Sequence, residues 1–400
     1  MNQRLRDQMG ASAKIPHVAL LIETSRGYGR GILLGVTRYL REHGPWSVYI
    51  RPHDLGAPPP PWLRQWHGDG ILVRIDDRRM ASAIRKRGLP AVDLRLSVPT
   101  GLPFVGLDNN AVVRLAFEHL ASNGFKQFGF CGLPRKSNRW MDLRCDLFAQ
   151  LVRSKGYSCH IFEPSVRGRH IDWEEEQEQI GAWVQDLPKP IGVMACNDDR
   201  GEQVLDACRR VHVLVPEDVA VVGVDNDEIL CNLSSPPLST VNINTQQIGY
   251  EAAALLDRIM AGEPAPQQPL LLAPSGVVSR ESTDVLATED RELAAALRMI
   301  REQACDGLRL KDFARKTGLS RRELERRIHK LLGRSPKQEI TRVQMERAKQ
   351  LLTETDLPAA RIAERCGFSQ PKYFSQVFHS KVGLPPAAYR LKAGKRALRG

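Results

Sequence analysis

Short apolar runs alternate with longer stretches of helical period over the first 280 residues. HVALLI (17–22) reads as a buried strand, and YGRGILLGVTRYLREH (28–43) as the amphipathic helix after it. WSVYI (46–50), GILVRI (70–75), AVDL (91–94) and FVGLD (104–108) continue the strands, with a helix near 77–88. A second series starts at QFGFCG (127–132). It runs through a helix at about 140–155, SCHIF (158–162), a helix over 172–186, IGVMAC (191–196), a helix over 199–210 and VAVVGVD (219–225). Strands alternating with helices imply parallel sheets covered by helices, and two consecutive series imply two lobes.

The pattern changes after that. Residues 261–290 mix Pro, Gly, polar residues and short apolar runs. The α/β core, 15–280, is expected to end there, with a connection over 281–290. RELAAALRMIREQA (291–304) then has helical period, and the remaining chain repeats itself. DFARKTGLSRRELERRIHKLLGRSP (312–336) aligns with RIAERCGFSQPKYFSQVFHSKVGLPP (361–386). Ala314, Gly318 and Ser320 match Ala363, Gly367 and Ser369. After one inserted residue, Leu324, Ile328, Gly333 and Pro336 match Phe374, Phe378, Gly383 and Pro386. Each copy reads as helix, Gly-containing turn, Ser N-cap, then an amphipathic helix ending at Gly, which is the helix-turn-helix pattern. The two motifs are expected over 310–333 and 361–383. In the second, Tyr373, Phe374, Val377 and Phe378 lie at core spacing. Between the motifs, QEITRVQMERAKQLLTET (338–355) reads as a helical strut that sets two recognition helices about one DNA turn, roughly 34 Å, apart.

Charge sharpens this division. The chain carries a net +12, but residues 289–400 alone hold 26 Lys and Arg against 13 Asp and Glu, a net +13. A near-neutral core joined to a basic module points to a polyanionic partner for the module. The eight cysteines are scattered, with no CxxC pair and no zinc spacing, as reduced thiols of a cytoplasmic protein would be. No cofactor or metal is implied. No run of about 18 apolar residues occurs, so no membrane span is expected. Residues 1–14 are polar and basic and read as a disordered tail, without the apolar stretch of a secretory signal. Residues 393–400 read as a basic tail.

Ligands of wound α/β folds bind beyond the carboxyl ends of the strands. At those ends lie Thr24, Ser25, Arg26 and Tyr28, then Asp108 and Asn109, Asn197 and Asp198, and Asp225, Asn226 and Asp227. Arg139, Trp140 and Arg144 open a helix nearby. Carboxylates and amides engage hydroxyls, Arg donates in a fixed fork, and an aromatic face covers the apolar side of a sugar ring. The set suits a small polyhydroxylated ligand. Each residue also has a plainer reading: Asn197 and Asp198 as N-caps, Trp140 as core. GYGRG (27–31) resembles a dinucleotide loop, but its spacing is G-x-G-x-G rather than G-x-G-x-x-G. An enzyme using Asp108, Asp225 and His119 or His212 is an alternative, although no nucleophile–base–orienter set emerges.

VALLIETSRGYGRGI, GFKQFGFCGL, IGVMACNDDRGEQVLDACRRVHVLVPEDVAVVGVDNDE and PPLSTVNI resemble the effector-binding core of the lactose/galactose-repressor family. The resemblance implies a two-lobed, periplasmic-binding-protein-like α/β core, with ligand contacts at Tyr28, Arg144, Asn197 and Asp225. The candidate ligand set is therefore Ser25, Tyr28, Asp108, Trp140, Arg144, Asn197 and Asp225. It also implies several crossings between lobes, so STVNI (239–243) and the helix at 246–261 are expected in the first lobe. That family carries its DNA-binding helices at the N-terminus, and here only about fourteen residues precede the first strand.

IAERCGFSQPKYFSQVFHSKVGLPPAAYR (362–390) is similar to the AraC/XylS family of transcription regulators, which implies an all-α DNA-binding domain over 291–392 with two helix-turn-helix motifs. Its groove-facing positions fall on Ser320, Arg321, Arg322, Glu325 and Arg326, and on Gln370, Lys372, Ser375 and Gln376. These side chains suit base edges and phosphates of double-stranded DNA in the major groove. Pro371 reads no base, and Arg327, Lys330 and Arg334 read as solvated charge or phosphate contacts. The pairing of the two halves, with LLIETSRGYGRG, the spacing of Arg139, Trp140 and Arg144, and LSRRELERR, resembles regulators of xylose operons. It implies a cytoplasmic, homodimeric activator that takes D-xylose or another pentose and contacts RNA polymerase.

Overall fold

The computed structural model describes residues 15–54, 56–136, 138–164, 172–284, 290–308, 319–355 and 357–397. The chain divides into two compact units, 1–284 and 285–400.

The first unit begins with β1 (His17–Leu21), α1 (Gly27–His43), β2 (Ser47–Ile50), β3 (Gly70–Val73), α2 (Arg78–Arg85), β4 (Ala91–Asp93) and β5 (Val105–Leu107). The first four strands form a parallel sheet in the order β2-β1-β3-β4. A single bridge, Asp93 to Phe104, carries the order toward β5. The chain then crosses to a second lobe. There it forms α3 (Asn109–Ser122), β6 (Phe128–Cys131), α4 (Arg139–Ser154), β7 (Cys159–Phe162), α5 (Trp173–Asp186) and β8 (Ile191–Ala195). The lobe continues with α6 (Asp198–Arg210), β9 (Val219–Val224), α7 (Glu228–Leu233) and β10 (Ser239–Asn242). The helix α8 (Thr245–Met260) and strand β11 (Leu270–Leu272) return to the first lobe. Strand β12 (Gly276–Val278) goes back to the second. The second sheet has the order β12-β10-β9-β8-β6-β7, parallel except for β12. Strands β3, β8 and β9 are buried along their whole length, as strands covered on both faces must be.

One expectation is corrected here. STVNI does not join the first lobe: Ser239, Thr240 and Val241 pair in register with Val222, Gly223 and Val224 of the second sheet. The strand is buried between β9 and β12, so its side chains have no route to the other core. The crossing comes after Asn242, and only α8 and β11 return. A second boundary also moves. Residues 281–283, read as connection, belong to the first unit, because Ser282 Oγ donates to the Val221 carbonyl at 2.6 Å and Thr283 Oγ1 to Ser239 Oγ at 2.7 Å.

Helices α1 and α8 touch backbone to backbone. A methyl group on Gly249 would lie 2.0 Å from the Ile32 carbonyl oxygen, and one on Gly31 1.9 Å from Thr245 Oγ1. The Gly31 of GYGRG therefore serves helix packing rather than a turn around phosphate. Around this contact Val18, Leu20, Ile32, Val36, Leu72, Ile248 and Leu256 form the core of the lobe. Each such side chain contributes about 1.5–3 kcal/mol by leaving water.

The second unit is helical in its described residues: α9 (Arg291–Gln303), α10 (Arg321–Leu332), α11 (Pro336–Glu354), α12 (Ala359–Arg365), α13 (Pro371–Val382) and α14 (Pro386–Ala397). The expected helix at the start of the first motif falls in 309–318, outside the described residues. Two small cores form. One gathers Leu293, Leu297, Ile300, Leu319, Leu324, Ile328 and Ile340; the other gathers Met345, Leu351, Leu352, Ile362, Cys366, Phe374 and Phe378. Helix α11 belongs to both, through Ile340 and Met345. It is about 28 Å long at 1.5 Å per residue. Repeated punctuation bounds the two motifs: α10 and α13 end at Gly333 and Gly383, both left-handed (φ 65° and 79°). Ser320 caps α10 by accepting from the Glu323 N–H at 3.2 Å. Its match does not do the same. The cap of α13 is Gln370, without a side-chain bond, because the inserted residue and Pro371 at the first helical position move Ser369 out of reach.

Candidate functional site

A cavity of ≈ 290 Å³ lies between the two lobes of the first unit. Its first-lobe wall comes from the loop after β1 (Arg26), the first turn of α1 (Tyr28) and the ends of β3 and β4 (Arg74, Leu94, Arg95). Phe104, before β5, completes that wall. Its second-lobe wall carries Asn138, Trp140 and Arg144 of α4 and its cap, Asn197 before α6, and Asp225 after β9. Of the sequence-predicted ligand set, Tyr28, Trp140, Arg144, Asn197 and Asp225 meet here. Ser25 and Asp108 do not. Ser25 is exposed, and its carbonyl accepts from Arg30 at 2.9 Å. Asp108 is the N-cap of α3, accepting from the Asn110 and Ala111 N–H groups at 2.9 and 3.2 Å. For Asp108 the capping role is the one found.

Electrostatics centre on two carboxylates. Asp225 is half-buried, and its desolvation pushes its carboxyl above the usual range, against the pull of Arg144. Asp198, which is buried, is raised by burial and then by the Asp225 charge. Asp198 does not line the cavity but braces the loop that does. Its Oδ1 accepts from Thr240 Oγ1 at 2.5 Å, and its Oδ2 from the Asp227 N–H at 2.8 Å. The braced loop is strained: Asp225 has φ 123° and Asn226 φ 57°. Arg280 Nη2 donates to Asn226 Oδ1 at 2.9 Å, holding the other side of the turn.

Arg144 is buried and donates to Asn109 Oδ1 at 2.9 Å and to the Cys196 carbonyl. Asn197 serves two roles, capping α6 through the Arg200 N–H at 3.0 Å while lining the cavity. Arg74 forms a buried ion pair with Glu23, and its guanidinium lies 4.4 Å from the centroid of the Tyr28 ring. Burial, and then the Arg95 charge, bring Arg74 down to about 9. Burial likewise raises the Tyr28 phenol, which stays a neutral hydrogen-bonding group. Trp140 and Phe104 stack from opposite lobes with centroids 5.7 Å apart, and the indole N–H donates to the Arg95 carbonyl.

Arg74, Arg95 and Phe104 were not in the sequence-derived set. The strand-end rule reaches the first two, since Arg74 follows GILV and Arg95 follows AVDL. Phe104 precedes its strand and gives no such signal. The paired arginines balance the wall. Arg26 meets Asp199, Arg74 meets Glu23, and Arg95 meets Asp76 at 2.7 Å. What remains for a ligand is a near-neutral pocket with carboxylate, amide and guanidinium groups beside an aromatic face, the chemistry of a small polyol. His119 shares a 2.7 Å hydrogen bond with Thr283 Oγ1, His212 follows α6, and neither lines the cavity. Among the described residues no cluster of His, Cys, Asp and Glu could hold a metal. No described helix is long and apolar enough to cross a membrane.

The second unit presents two exposed helix faces. On α10, Arg321, Arg322 and Arg326 are exposed, and Arg321 Nε pairs with Glu325 at 3.1 Å. Ser320 is exposed, with its hydroxyl committed to the cap. On α13, Gln370, Lys372 and Gln376 are exposed, while Ser375 Oγ donates back to the Pro371 carbonyl at 3.1 Å. Phe374 and Phe378 are fully buried, but Tyr373, expected in the core, is 53% exposed. It sits one residue before Phe374, about 100° round the helix, and shares the face of Lys372 and Gln376.

Comparison with known proteins agrees with both halves. Residues 17–105 match a family described as XylR N-terminal domain, 117–283 a periplasmic binding protein-like domain, and 313–392 a helix-turn-helix domain. The chain is 32% identical to the xylose operon regulatory protein of Escherichia coli K12 over 381 residues, 93% of this chain and 96% of that one. It is 30% identical to the Haemophilus influenzae protein of the same name, over 94% and 98% of the two chains. Among solved structures, one of the xylose-binding transcription activator XylR superposes with a TM-score of 0.78 at 31% identity, covering 94% of this chain and 98% of that one. A regulator CelR in complex with cellobiose shares the fold of the core, with a TM-score of 0.55 at 22% identity over 70% and 88%.

Proposed function

The chain belongs to the family of xylose operon regulatory proteins, DNA-binding transcription regulators rather than enzymes, and from that premise we propose that D-xylose is the effector held in its cleft. The observation that carries this reading is the convergence of Arg144, Asn197 and Asp225 beside Trp140 in a cavity of ≈ 290 Å³, small for a ligand pocket. Sugar hydroxyls donate to the Asp225 carboxylate and the Asn197 carbonyl and accept from the Arg144 guanidinium. The apolar face of the ring rests on the indole of Trp140. These groups belong to the second lobe, and because Tyr28, Arg74 and Arg95 line the same cavity from the first, the sugar favours the closed arrangement by its differential affinity for closed over open.

Closure then alters how the two helix-turn-helix motifs meet DNA. Arg321, Arg322, Glu325 and Arg326 read one half of the site, and Gln370, Lys372 and Gln376 the other, in the major groove. The active species is a cytoplasmic homodimer that activates sugar catabolic genes and contacts RNA polymerase. Exposed Leu34 on α1 and Ile229 and Leu233 on α7, 51%, 67% and 77% accessible, support pairing with a second copy. Calorimetry of the full chain against a panel of pentoses and hexoses tests the effector. D-xylose should bind tightest, and tighter binding of another pentose, or no sugar binding at all, would overturn the assignment.

A further inference from the structure

We infer that Arg327 is a positioning residue, fastening the first recognition helix to the point where the chain passes into the DNA-binding unit, so that the state of the sugar core reaches that helix through it. The inference rests on the sugar-responsive reading above. Arg327 lies on α10, among the positions read from sequence as solvated charge or phosphate contacts. It is neither. Its Nη1 donates to both carboxylate oxygens of Asp290, at 3.2 and 3.0 Å, and to Glu292 Oε2 at 3.0 Å; its Nη2 donates to Glu323 Oε1 at 2.6 Å. The side chain is three-quarters buried, with 25% exposed.

Three observations distinguish this cluster from an ordinary surface pair. First, one guanidinium faces three carboxylates, so its Nη1 and Nη2 are committed to them rather than to phosphate. Second, Asp290 does two things at once. It caps α9 by accepting from the Leu293 N–H at 3.1 Å, and it holds Arg327. Only residues 285–289 separate it from Asp284, where the sugar-binding unit ends. A displacement delivered at Asp290 is therefore carried into α9 and α10 together, which also share the core of Leu293, Leu297, Leu324 and Ile328. Third, the two repeats differ here. By the alignment that matches Ile328 with Phe378, the counterpart of Arg327 is Val377, an apolar residue packed on the core of its own motif. At this position the first motif has a charged tether and the second an apolar contact.

The test uses the full chain and a DNA duplex selected from a randomised pool by the wild-type protein in D-xylose. Fluorescence anisotropy gives duplex affinity with and without D-xylose, and calorimetry gives sugar affinity. Asp290→Asn keeps a good N-cap and removes the charge, Arg327→Gln removes the tether, and Arg327→Lys preserves the charge. We expect D-xylose affinity to be unchanged in all three. The ratio of duplex affinities with and without sugar should fall by about fivefold or more in Asp290→Asn and Arg327→Gln, with partial rescue in Arg327→Lys. A ratio retained in Asp290→Asn and Arg327→Gln, or a uniform loss of duplex affinity at constant ratio, would overturn the tether. A wild-type ratio of one would instead count against the effector reading. The tether is then judged by footprinting, where Arg327→Gln should weaken protection over one half of the duplex, and an unchanged footprint overturns it.

Discussion

Arg26 and Asp199 meet across the mouth of the cleft, Nη1 to Oδ2 at 2.8 Å. One belongs to the loop after β1 and the other to the first turn of α6, so the pair joins the lobes. A second contact, from the Gly27 N–H to Asp227 Oδ2 at 3.1 Å, lies beside it. Both side chains of the ion pair are about half exposed, which limits its worth to about 0.2–1 kcal/mol. Asp199→Asn should weaken sugar binding by a few-fold through the closed state it no longer supports. The deficit should shrink as salt is raised, because exposed pairs are screened. Calorimetry at low and high ionic strength checks this, and a deficit that is independent of salt would assign Asp199 another role.

Asp225 sets a pH dependence whose sign follows from its burial. Its carboxyl is raised in the sugar-free protein, and sugar hydroxyls donate to the ionised form. Binding therefore lowers it again. Sugar affinity should be constant at and above neutral pH and decline as the pH falls through the raised value, with proton release on binding in that window. The same shift acts oppositely on folding. A carboxyl raised above its unfolded value contributes stability below the unfolded value, and that contribution is lost as pH rises through the folded one. Asp225→Asn should raise the melting temperature of the sugar-free protein at pH 8 while costing about 1.5–3 kcal/mol or more of sugar affinity. A variant that is no more stable would mean the buried charge is already compensated.

Asp108 caps α3 and does not line the cavity, so its substitution separates the two roles. Asp108→Ala should cost about 0.5–2 kcal/mol of stability with sugar affinity nearly unchanged in the folded fraction. Asp108→Asn should restore most of the stability. Thermal unfolding and calorimetry on the same samples decide it, and a selective loss of sugar affinity would return Asp108 to the site.

On α13 the exposed and buried aromatics predict opposite phenotypes. Phe374→Ala should cost about 3–5 kcal/mol of stability, because the ring is fully buried. Tyr373→Ala should cost far less and act on DNA binding instead. Gln376→Ala should weaken one half of the footprint by about 1–3 kcal/mol if it makes a bidentate base contact. Footprinting and chemical denaturation measure these separately.

Leu233 is, among the described residues, the most exposed of the large apolar side chains at 77%. If α7 pairs with a second copy, Leu233→Glu should convert a dimer to monomers in sedimentation without loss of sugar binding. An unchanged sedimentation profile would place the dimer contact elsewhere.

The periodicity of the sequence carried the central strands of the core because β1, β3, β6, β8 and β9 are buried almost throughout and read as apolar runs. Lobe membership was less legible. STVN has the composition of a strand for either sheet, and only its pairing with Val222–Val224 decides. The site was partly legible, since strand ends find Tyr28, Asn197 and Asp225. They cannot separate Asn197, which both caps and lines, from Asp108, which caps without lining the cavity, because that depends on where the next helix points. Tyr373 was misread for a related reason. Core spacing tolerates either neighbour at the boundary of an apolar face, and packing on Phe378 selects Phe374. The tether of Arg327 was illegible because, beyond Glu323 on its own helix, its partners Asp290 and Glu292 are 37 and 35 residues away.

The chain crosses between lobes three times, at Asp108, after Asn242 and after Leu272, so neither lobe is a continuous stretch of sequence. That has a consequence for how such a regulator can be altered by recombination. A breakpoint inside the core would graft part of one lobe onto an unrelated hinge, separating β5 from β11 or β10 from β12. A breakpoint between Asp284 and Asp290 leaves the whole core intact. New sugar specificities are therefore most readily acquired either as complete cores or by single substitutions at the strand ends, and exchanged cores must arrive at an Asp290 that still grips Arg327.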